Sequence, residues 1–423
     1  MLSALEKYDP QIYELLNQER ARQSGSIRLI ASENYVSKAV MQATGSCMTN
    51  KYAEGYPGKR YYEGQQVTDL IETIACDRAK KIFKADHANV QSYSGSVANL
   101  AAYTALIEPG DTIMGLSLPY GGHLTHGWKA SFTSKIYNSV QYELEPDTGR
   151  FNFNKIEDLA KKHKPKLIVS GATAYCREID FSKFGDIAQR VGAFHLSDIA
   201  HISGLVIAGI HQSPVPHSDI VSTTTHKTLR GPRGGMLLCK AEHAKSVDTA
   251  VFPGIQGGPH MHTMTAIAVA LAEADTAEFI NYARQIVNNS KWLAQKLMEY
   301  GFDLVSGGTD NHIILIDLRN KNIPGKLFAK ALGRAGIVTN YNTIPNDPAP
   351  PFNPSGLRIG TPAVTTRGMK EEQMNQIAVA FKKVAENIEN ESVLEEVRKD
   401  MLLLCSHFPV PDHFIVPPEK NIL

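Results

Sequence analysis

One lysine of this 423-residue chain sits where chemistry rather than solubility would put it. Lys227 lies in D-I-V-S-T-T-T-H-K-T-L-R-G-P-R-G-G, residues 219–235. The β-prone run of Ile220, Val221, Thr223, Thr224 and Thr225 leads into it, and a turn of Gly231, Pro232, Gly234 and Gly235 follows. Near the mouth of an interior strand, with His226 before it and Arg233 after it, its amine loses its proton readily, because desolvation and nearby positive charge both destabilise an ammonium ion. A neutral amine is what a Schiff base with an aldehyde cofactor requires. Ser94-Gly95-Ser96 stands between a strand and a helix starting at Val97. Free N–H groups at a helix start suit a phosphate, although serine there is also the ordinary N-cap. No Walker sequence or G-x-G-x-x-G opens the chain, which disfavours a nucleoside phosphate. His123 with His126 and Asp198 with His201 form two tight pairs of metal-binding type, but no third dedicated cluster joins them, and no metal is expected.

These residues need elements to hold them, and the elements alternate. Strands are expected over residues 88–93, 112–117, 166–171, 193–197 and 219–225, with helices over 67–83, 97–107, 156–163 and 184–191. Such alternation argues for a mostly parallel α/β sheet covered on both faces, with ligands at the carboxyl ends of its strands. An amphipathic helix over 10–22 precedes all of this and reads as an arm that packs against something else. Residues 50–64 interleave Tyr52, Tyr56, Tyr61 and Tyr62 with glycines and charges. A helical region over 265–300 carries no strand signal. Beyond it, strands at 302–305 and 312–318 and helices at 325–334 and 367–388 read as a smaller domain, and the Pro-rich tail from Phe408 as a surface drape. The expected division is 1–50 for the arm, 51–280 for the large domain and 281–423 for the small one.

Composition removes several function classes. Lys+Arg number 44 against Asp+Glu 43, so a net charge of +1 gives no reason to expect nucleic acid or a membrane surface as partner. The five cysteines are odd in number and far apart, without a C-x-x-C pair, so a reducing compartment is expected. The start lacks the basic and apolar stretches of a signal peptide, and the apolar run 266–272 ends in Glu273 and Asp275, too short to span a bilayer. A cytoplasmic protein is expected.

The Lys227 stretch resembles the active-site lysine segment of the serine hydroxymethyltransferases, pyridoxal-phosphate enzymes of one-carbon metabolism. The resemblance recurs, in the family's order, in L-I-A-S-E-N-Y from Leu29, N-K-Y-A-E-G-Y-P-G-K-R-Y-Y from Asn50, S-G-S from Ser94, G-G-H-L-T-H-G from Gly121, D-I-A-H from Asp198, Q-G-G-P from Gln256, S-G-G-T-D-N-H from Ser306, and P-N-D-P and L-R-I-G-T-P beyond. It implies an aspartate-aminotransferase-like (fold type I) α/β architecture with an N-terminal arm and a smaller C-terminal α/β domain. It implies pyridoxal 5'-phosphate as cofactor and tetrahydrofolate as co-substrate. The reaction would be reversible transfer of the serine hydroxymethyl group, giving glycine and 5,10-methylenetetrahydrofolate. A homodimer, or a larger assembly of dimers with shared active sites, would carry it out.

Carried over position by position, the resemblance makes Lys227 the cofactor anchor and Asp198 the partner of the pyridinium nitrogen, which keeps the ring an electron sink. Ala200 and His123 would flank the ring, and His201 would reach its phenolic oxygen or the phosphate side. Ser94, Gly95, Ser96, Thr173, Thr224 and Arg233 complete the cofactor set, with Tyr52, Gly257 and Gly258 brought from a neighbouring subunit. Arg358 would bind the substrate carboxylate, as a planar fork can. Ser32, Tyr62 and His201 would join it, with Glu54 as acid and base, and His226 beside the lysine would take part in catalysis. Leu118 and Asn342 match folate-holding positions. Three residues depart from the common pattern: Tyr93 stands for His, Thr173 for Ser, and Glu63 interrupts a Tyr-Tyr-Gly-Gly run. Two other readings are a folate-independent aldolase of the same fold acting on threonine-like substrates and a catalytically silent binding relative, the latter opposed by the presence of Lys227, Asp198, Arg358 and Glu54.

Overall fold

A seven-stranded sheet buried on both sides forms the centre of the computed structural model, which describes residues 3–411; apolar side chains fill most of its interior, and the polar His195, Ser197 and Ser170 of its middle strands are buried only because they hydrogen-bond one another. Its strands are β1 (His87–Asn89), β2 (Thr112–Leu116), β3 (Asn138–Tyr142), β4 (Leu167–Gly171), β5 (Phe194–Asp198), β6 (Ile220–Thr224) and β7 (Gly235–Cys239). They lie in the order β1-β7-β6-β5-β4-β2-β3, and only β7 runs antiparallel to its neighbours. Successive side chains go to opposite faces. Ile113, Leu167, Ile220 and Leu237 join the helix Gly95–Leu106 on one face, while Met114, Ile168, Val221 and Leu238 join the helices Gln66–Phe83, Phe181–Val191 and Met261–Ala274 on the other. The parallel α/β expectation is met.

A second, antiparallel sheet holds β8 (Asp303–Leu304), β9 (Ile313–Asp317), β10 (Asn340–Asn342) and β11 (Gly356–Gly360) in the order β8-β9-β11-β10. Ile314, Ile316, Leu357 and Ile359 pack under Phe328, Ile377 and Phe381 in their own core. The helix Ala277–Glu299 serves both cores, with Phe279, Ala283 and Ile286 in the first and Leu293 and Leu297 in the second. Ile27 and Leu29 also belong to the second core, and Ile27–Arg28 pairs in parallel with Ile337–Val338.

Several expected bounds shift for physical reasons. The strand expected over 88–93 ends at Asn89, whose side-chain oxygen accepts the N–H of Gln91 and turns the chain away. The run after Lys227 does not merely stop, because Gly235 begins β7, whose N–H bonds the Ser92 carbonyl. The helical region over 265–300 is two helices that meet at Asp275 and Thr276, with the Thr276 hydroxyl capping the second. The helix expected from residue 367 begins at Glu371, because Gly368 takes a positive φ of 86°. The edge strand β3 and the helix Glu391–His407 were not expected, although the helix buries Leu394, Val397, Met401 and Leu404 at helical spacing. Of the tail, Val410 is buried with Tyr35 and Ala363 rather than draped, and residues 412–423 lie outside the described residues.

Candidate active site

Three neighbouring parallel strands deliver the central residues from their carboxyl ends. Gly171 pairs with Asp198, and Asp198 with Ser222, so the segments following β4, β5 and β6 start level with one another. Thr173 follows β4, Asp198 closes β5 ahead of Ala200 and His201, and Lys227 stands three residues beyond Thr224. The helix Gly95–Leu106 points its N-terminus at this edge. Ser94 caps it by accepting the Val97 N–H at 3.3 Å, the ordinary role, and the first-turn N–H groups of Gly95 and Ser96 have no partner among the described residues. A Cβ on Gly95 would stand 2.6 Å from Thr224 Cγ2, so only glycine lets the helix start close on β6.

Lys227 is buried, 9 % exposed. Burial lowers its amine to about 8; the Asp198 carboxylate works against this, and Arg358 and Arg233 work with it. Asp198 is itself buried, which opposes its charge, yet His126, His123 and Asn99 outweigh that penalty and hold the carboxyl well below its usual range. His126 Nε2 and Asn99 Nδ2 both stand 2.9 Å from Asp198 Oδ2, and the Ala200 N–H donates to Oδ1 at 3.0 Å. The N–H of His123 donates to His126 Nδ1, so the hydrogen of His126 sits on Nε2 and is given to Asp198. The metal-like grouping of His123, His126 and Asp198 is thus also a hydrogen-bonded support for one carboxylate. His123 is lowered to about 4, chiefly by burial.

Arg358, on β11, is 8 % exposed and reaches the site from the second sheet. Its Nη1 donates to the Thr173 carbonyl at 2.9 Å and its Nε to Asn340 Oδ1 at 3.1 Å. No carboxylate pairs with it among the described residues, and burial lowers it to about 10. A buried guanidinium without a counter-ion is costly unless a ligand supplies one. Thr173 contributes its backbone here, with its N–H on the Gly121 carbonyl, so the Thr for Ser departure falls on a side chain for which no hydrogen bond is seen.

A second group gathers around Glu54. The hydroxyls of Tyr52 and Tyr62 donate to Glu54 Oε1 and Oε2 at 3.2 and 2.9 Å. Gly257 lies against Glu54 and Gly258 against the Tyr52 ring. Tyr93 holds this loop, with its hydroxyl on the Gly258 carbonyl and its ring stacked on His260. Tyr52 and Tyr62 are 58 % and 46 % exposed, and no hydrogen bond or ion pair joins this group to Lys227 within one chain among the described residues. Glu63 is exposed beside it. Ser32, His226 and Arg233 line a cavity of about 500 Å³. His226, whose Nδ1 has no partner, is lowered to about 3 by burial and by Lys227. Leu118 follows β2 and Asn342 ends β10, both half-buried.

Some residues that hold the site escaped sequence reasoning. Asn34 donates to the Lys227 carbonyl at 3.0 Å and to the Tyr282 hydroxyl, and accepts from Thr366. Asn99 and Asn340 orient Asp198 and Arg358. Asn34 lies in the quoted L-I-A-S-E-N-Y motif, which was a usable signal; Asn99 and Asn340 lie in no distinctive pattern.

A buried lysine and an ionised carboxylate at the carboxyl edge of a mostly parallel sheet, an open helix N-terminus and an unpaired arginine from a second sheet define a fold type I pyridoxal-phosphate-dependent transferase. The residues fit that cofactor: Asp198 matches a pyridinium nitrogen, and the bare Gly95 start matches a phosphate. The family model for serine hydroxymethyltransferase matches residues 5–381. The chain is 57% identical over 416 residues to a serine hydroxymethyltransferase of Acidothermus cellulolyticus, with 97% of each chain covered. Those of Desulfotalea psychrophila and Sorangium cellulosum are 55% and 56% identical over 410 residues, covering 97% of this chain and 96% and 97% of theirs. The chain belongs to the serine hydroxymethyltransferase family, which uses pyridoxal phosphate and takes tetrahydrofolate as co-substrate.

Proposed function

We propose that the chain moves the hydroxymethyl group of serine reversibly to tetrahydrofolate, leaving glycine and 5,10-methylenetetrahydrofolate, at a site centred on Lys227. The observation that carries this is a buried amine lowered to about 8 beside a carboxylate that stays ionised. When bound, pyridoxal phosphate supplies an aldehyde for amines and a sink for the electrons of the broken Cα–Cβ bond. Lys227 offers the anchoring amine, and a pKa of about 8 leaves roughly a tenth of it unprotonated at pH 7, far more than an ordinary lysine would have. Asp198, held as an anion by His126 and Asn99, would pair with the ring nitrogen of the bound cofactor. Ser94, Gly95 and Ser96 would hold the phosphate, and His123, Ala200, Thr173, Thr224 and Arg233 would complete the cofactor set. Arg358 receives the α-carboxylate of serine, aided by Ser32 and His201, and so orients the amino acid. Glu54, between the Tyr52 and Tyr62 hydroxyls, takes and returns the proton of the serine hydroxyl. Leu118 and Asn342 hold the folate. Borohydride reduction of the cofactor-loaded protein and peptide mapping should place the label on Lys227, and a label on another lysine would overturn the assignment.

The working unit is a homodimer or an assembly of dimers with shared sites. Two features support it: the Glu54 group makes no hydrogen bond or ion pair with Lys227 within one chain among the described residues, and Val67, Leu70 and Ile74 leave an apolar stripe exposed on the helix Gln66–Phe83. A large domain of 51–280 and a small one of 281–423 are supported by the two sheets and their cores, which the helix Ala277–Glu299 joins, while the arm of residues 1–50 packs into both, with Met48 on the first core and Ile27 and Leu29 in the second. A cytoplasmic location without nucleic-acid or membrane partners is supported by the balanced charge and five free cysteines. No helix among the described residues is long and apolar enough to cross a membrane.

A further inference from the structure

Arg60 belongs to the N-K-Y-A-E-G-Y-P-G-K-R-Y-Y stretch, and nothing in the reaction outlined above uses it. Gly55–Tyr56 and Lys59–Arg60 pair as a short antiparallel hairpin in which Arg60 stands opposite Gly55, the residue after Glu54. The Arg60 side chain is only 3 % exposed, unusual for a charge, and it is spent on backbone. Its Nη1 donates to the Ala53 carbonyl at 3.1 Å and to the Gly55 carbonyl at 2.7 Å. Those are the carbonyls of the residues before and after Glu54.

The guanidinium is itself fixed. Its Nε donates to Asp69 Oδ1 at 2.9 Å and its Nη2 to Glu72 Oε2, both on the helix Gln66–Phe83, and Glu72 is buried. Gln91 joins them, its Nε2 donating to Glu72 Oε1 at 2.7 Å and to the Gly55 carbonyl at 2.9 Å. The Glu54 carbonyl accepts the Tyr61 N–H at 3.2 Å, so the carbonyls of Ala53, Glu54 and Gly55 are all held from residues 60 and 61. Around the Glu54 carboxylate, by contrast, stand the hydroxyls of Tyr52 and Tyr62, two exposed tyrosines. The firm hold on Glu54 is on its backbone, and Arg60 supplies most of it.

We propose that Arg60 is a positioning residue for Glu54: by binding the carbonyls on both sides of it, the guanidinium fixes the backbone from which the carboxylate reaches the serine hydroxyl. A lysine in its place keeps a positive charge for Asp69 and Glu72, but it gathers its donors at one point and has no planar fork to span two carbonyls and two carboxylates at once. The backbone at residues 53–55 then loosens while the charge balance stays. A misplacement of about 1 Å in a reacting group costs about a hundredfold in rate. The inference rests on the reading that Glu54 moves the proton in a site completed by the partner chain, and separate controls test that reading.

The test compares the cofactor-loaded enzyme with its Arg60→Lys variant. The kcat for serine with tetrahydrofolate should fall about a hundredfold. The serine KM should stay within about threefold of the parent's, the scale of less than one hydrogen bond, because Arg358 still receives the carboxylate. Pyridoxal-phosphate content and dimer mass should not change. Co-refolding then shows which site is hurt. Arg60→Lys chains refolded with Lys227→Ala chains should reach about a quarter of the parent's activity, since each mixed dimer keeps one intact Lys227 facing one intact Glu54 loop. Refolded with Glu54→Gln chains they should stay near their own low level, because both sites of that mixed dimer have an impaired loop. Should Arg60→Lys form no dimer, Gln91→Met, which removes the second donor to the Gly55 carbonyl, should lower kcat about fivefold at unchanged KM. An unchanged kcat, a loss that follows cofactor content, or restoration by Glu54→Gln rather than Lys227→Ala chains would overturn the proposal. An active Glu54→Gln homodimer would overturn the reading of Glu54 instead.

Discussion

Arg358 shows at the residue scale how a site can be built against stability. Its guanidinium gives hydrogen bonds to Asn340 and Thr173 but has no acid to balance its charge among the described residues, and burial already lowers its pKa to about 10. A buried charge without its partner is a standing cost, and a hydrophobic side chain of similar size is often better tolerated. Arg358→Met should therefore have a thermal midpoint at or above the parent's. Its serine affinity should fall by about 2 to 5 kcal/mol, the scale for removing one side of a buried charged pair, while the cofactor stays bound. Calorimetric melting and serine titration check both halves. A clear fall in melting temperature would mean that the arginine is structural, and unchanged serine binding would move the carboxylate site elsewhere.

At the scale of elements, the approach of the helix Gly95–Leu106 to β6 decides whether a phosphate and a lysine-held ring can share one edge. That approach is limited by one methyl group, because a Cβ on Gly95 would meet Thr224 Cγ2 at 2.6 Å. Gly95→Ala should cost about 1 to 3 kcal/mol, typical of an overpacked contact, and should appear as weaker pyridoxal-phosphate binding with the circular dichroism of the parent. Thr224→Ser removes that methyl and keeps the hydroxyl that donates to the Ala200 carbonyl. The double variant should recover most of the cofactor affinity, a coupling that a mutant cycle measures. Equal losses in the single and double variants would show that the clash lies elsewhere.

For the whole molecule the question is which chain supplies Glu54. Within one chain it rests with Tyr52, Tyr62, Gly257 and Gly258 on an exposed loop, held by Tyr93 rather than by the Lys227 group. If that loop completes a partner's site, Lys227→Ala and Glu54→Gln chains, each inactive alone, should regain activity when unfolded and refolded together. Random pairing makes half the dimers mixed with one good site of two, so activity should approach about a quarter of the parent's. Separately refolded controls should stay inactive. A co-refolded mixture equally inactive, with mixed dimers verified by mass, would place Glu54 and Lys227 in one chain's site.

Lys227, Asp198 and Ser94-Gly95-Ser96 were legible in the sequence because each follows or precedes a strand whose apolar run is readable from local order alone, and the parallel sheet then puts all three at one edge. The same local order explains why β2, β4, β5 and β6 were expected within a residue or two. What the chain order could not carry were contacts between distant segments. The antiparallel insertion of β7 between β1 and β6, the His126 and Asn99 support under Asp198 and the Asn34 bond to the Lys227 carbonyl join residues 193 or fewer positions apart through the fold alone. Periodicity reports which face of an element is buried, but not which polar group it meets there. That is why the chemical groups were readable from the amino-acid order, whereas the tertiary structure decided their states: burial set the protonation of Lys227 and the unpaired charge of Arg358, and the His126 and Asn99 bonds kept Asp198 ionised against burial.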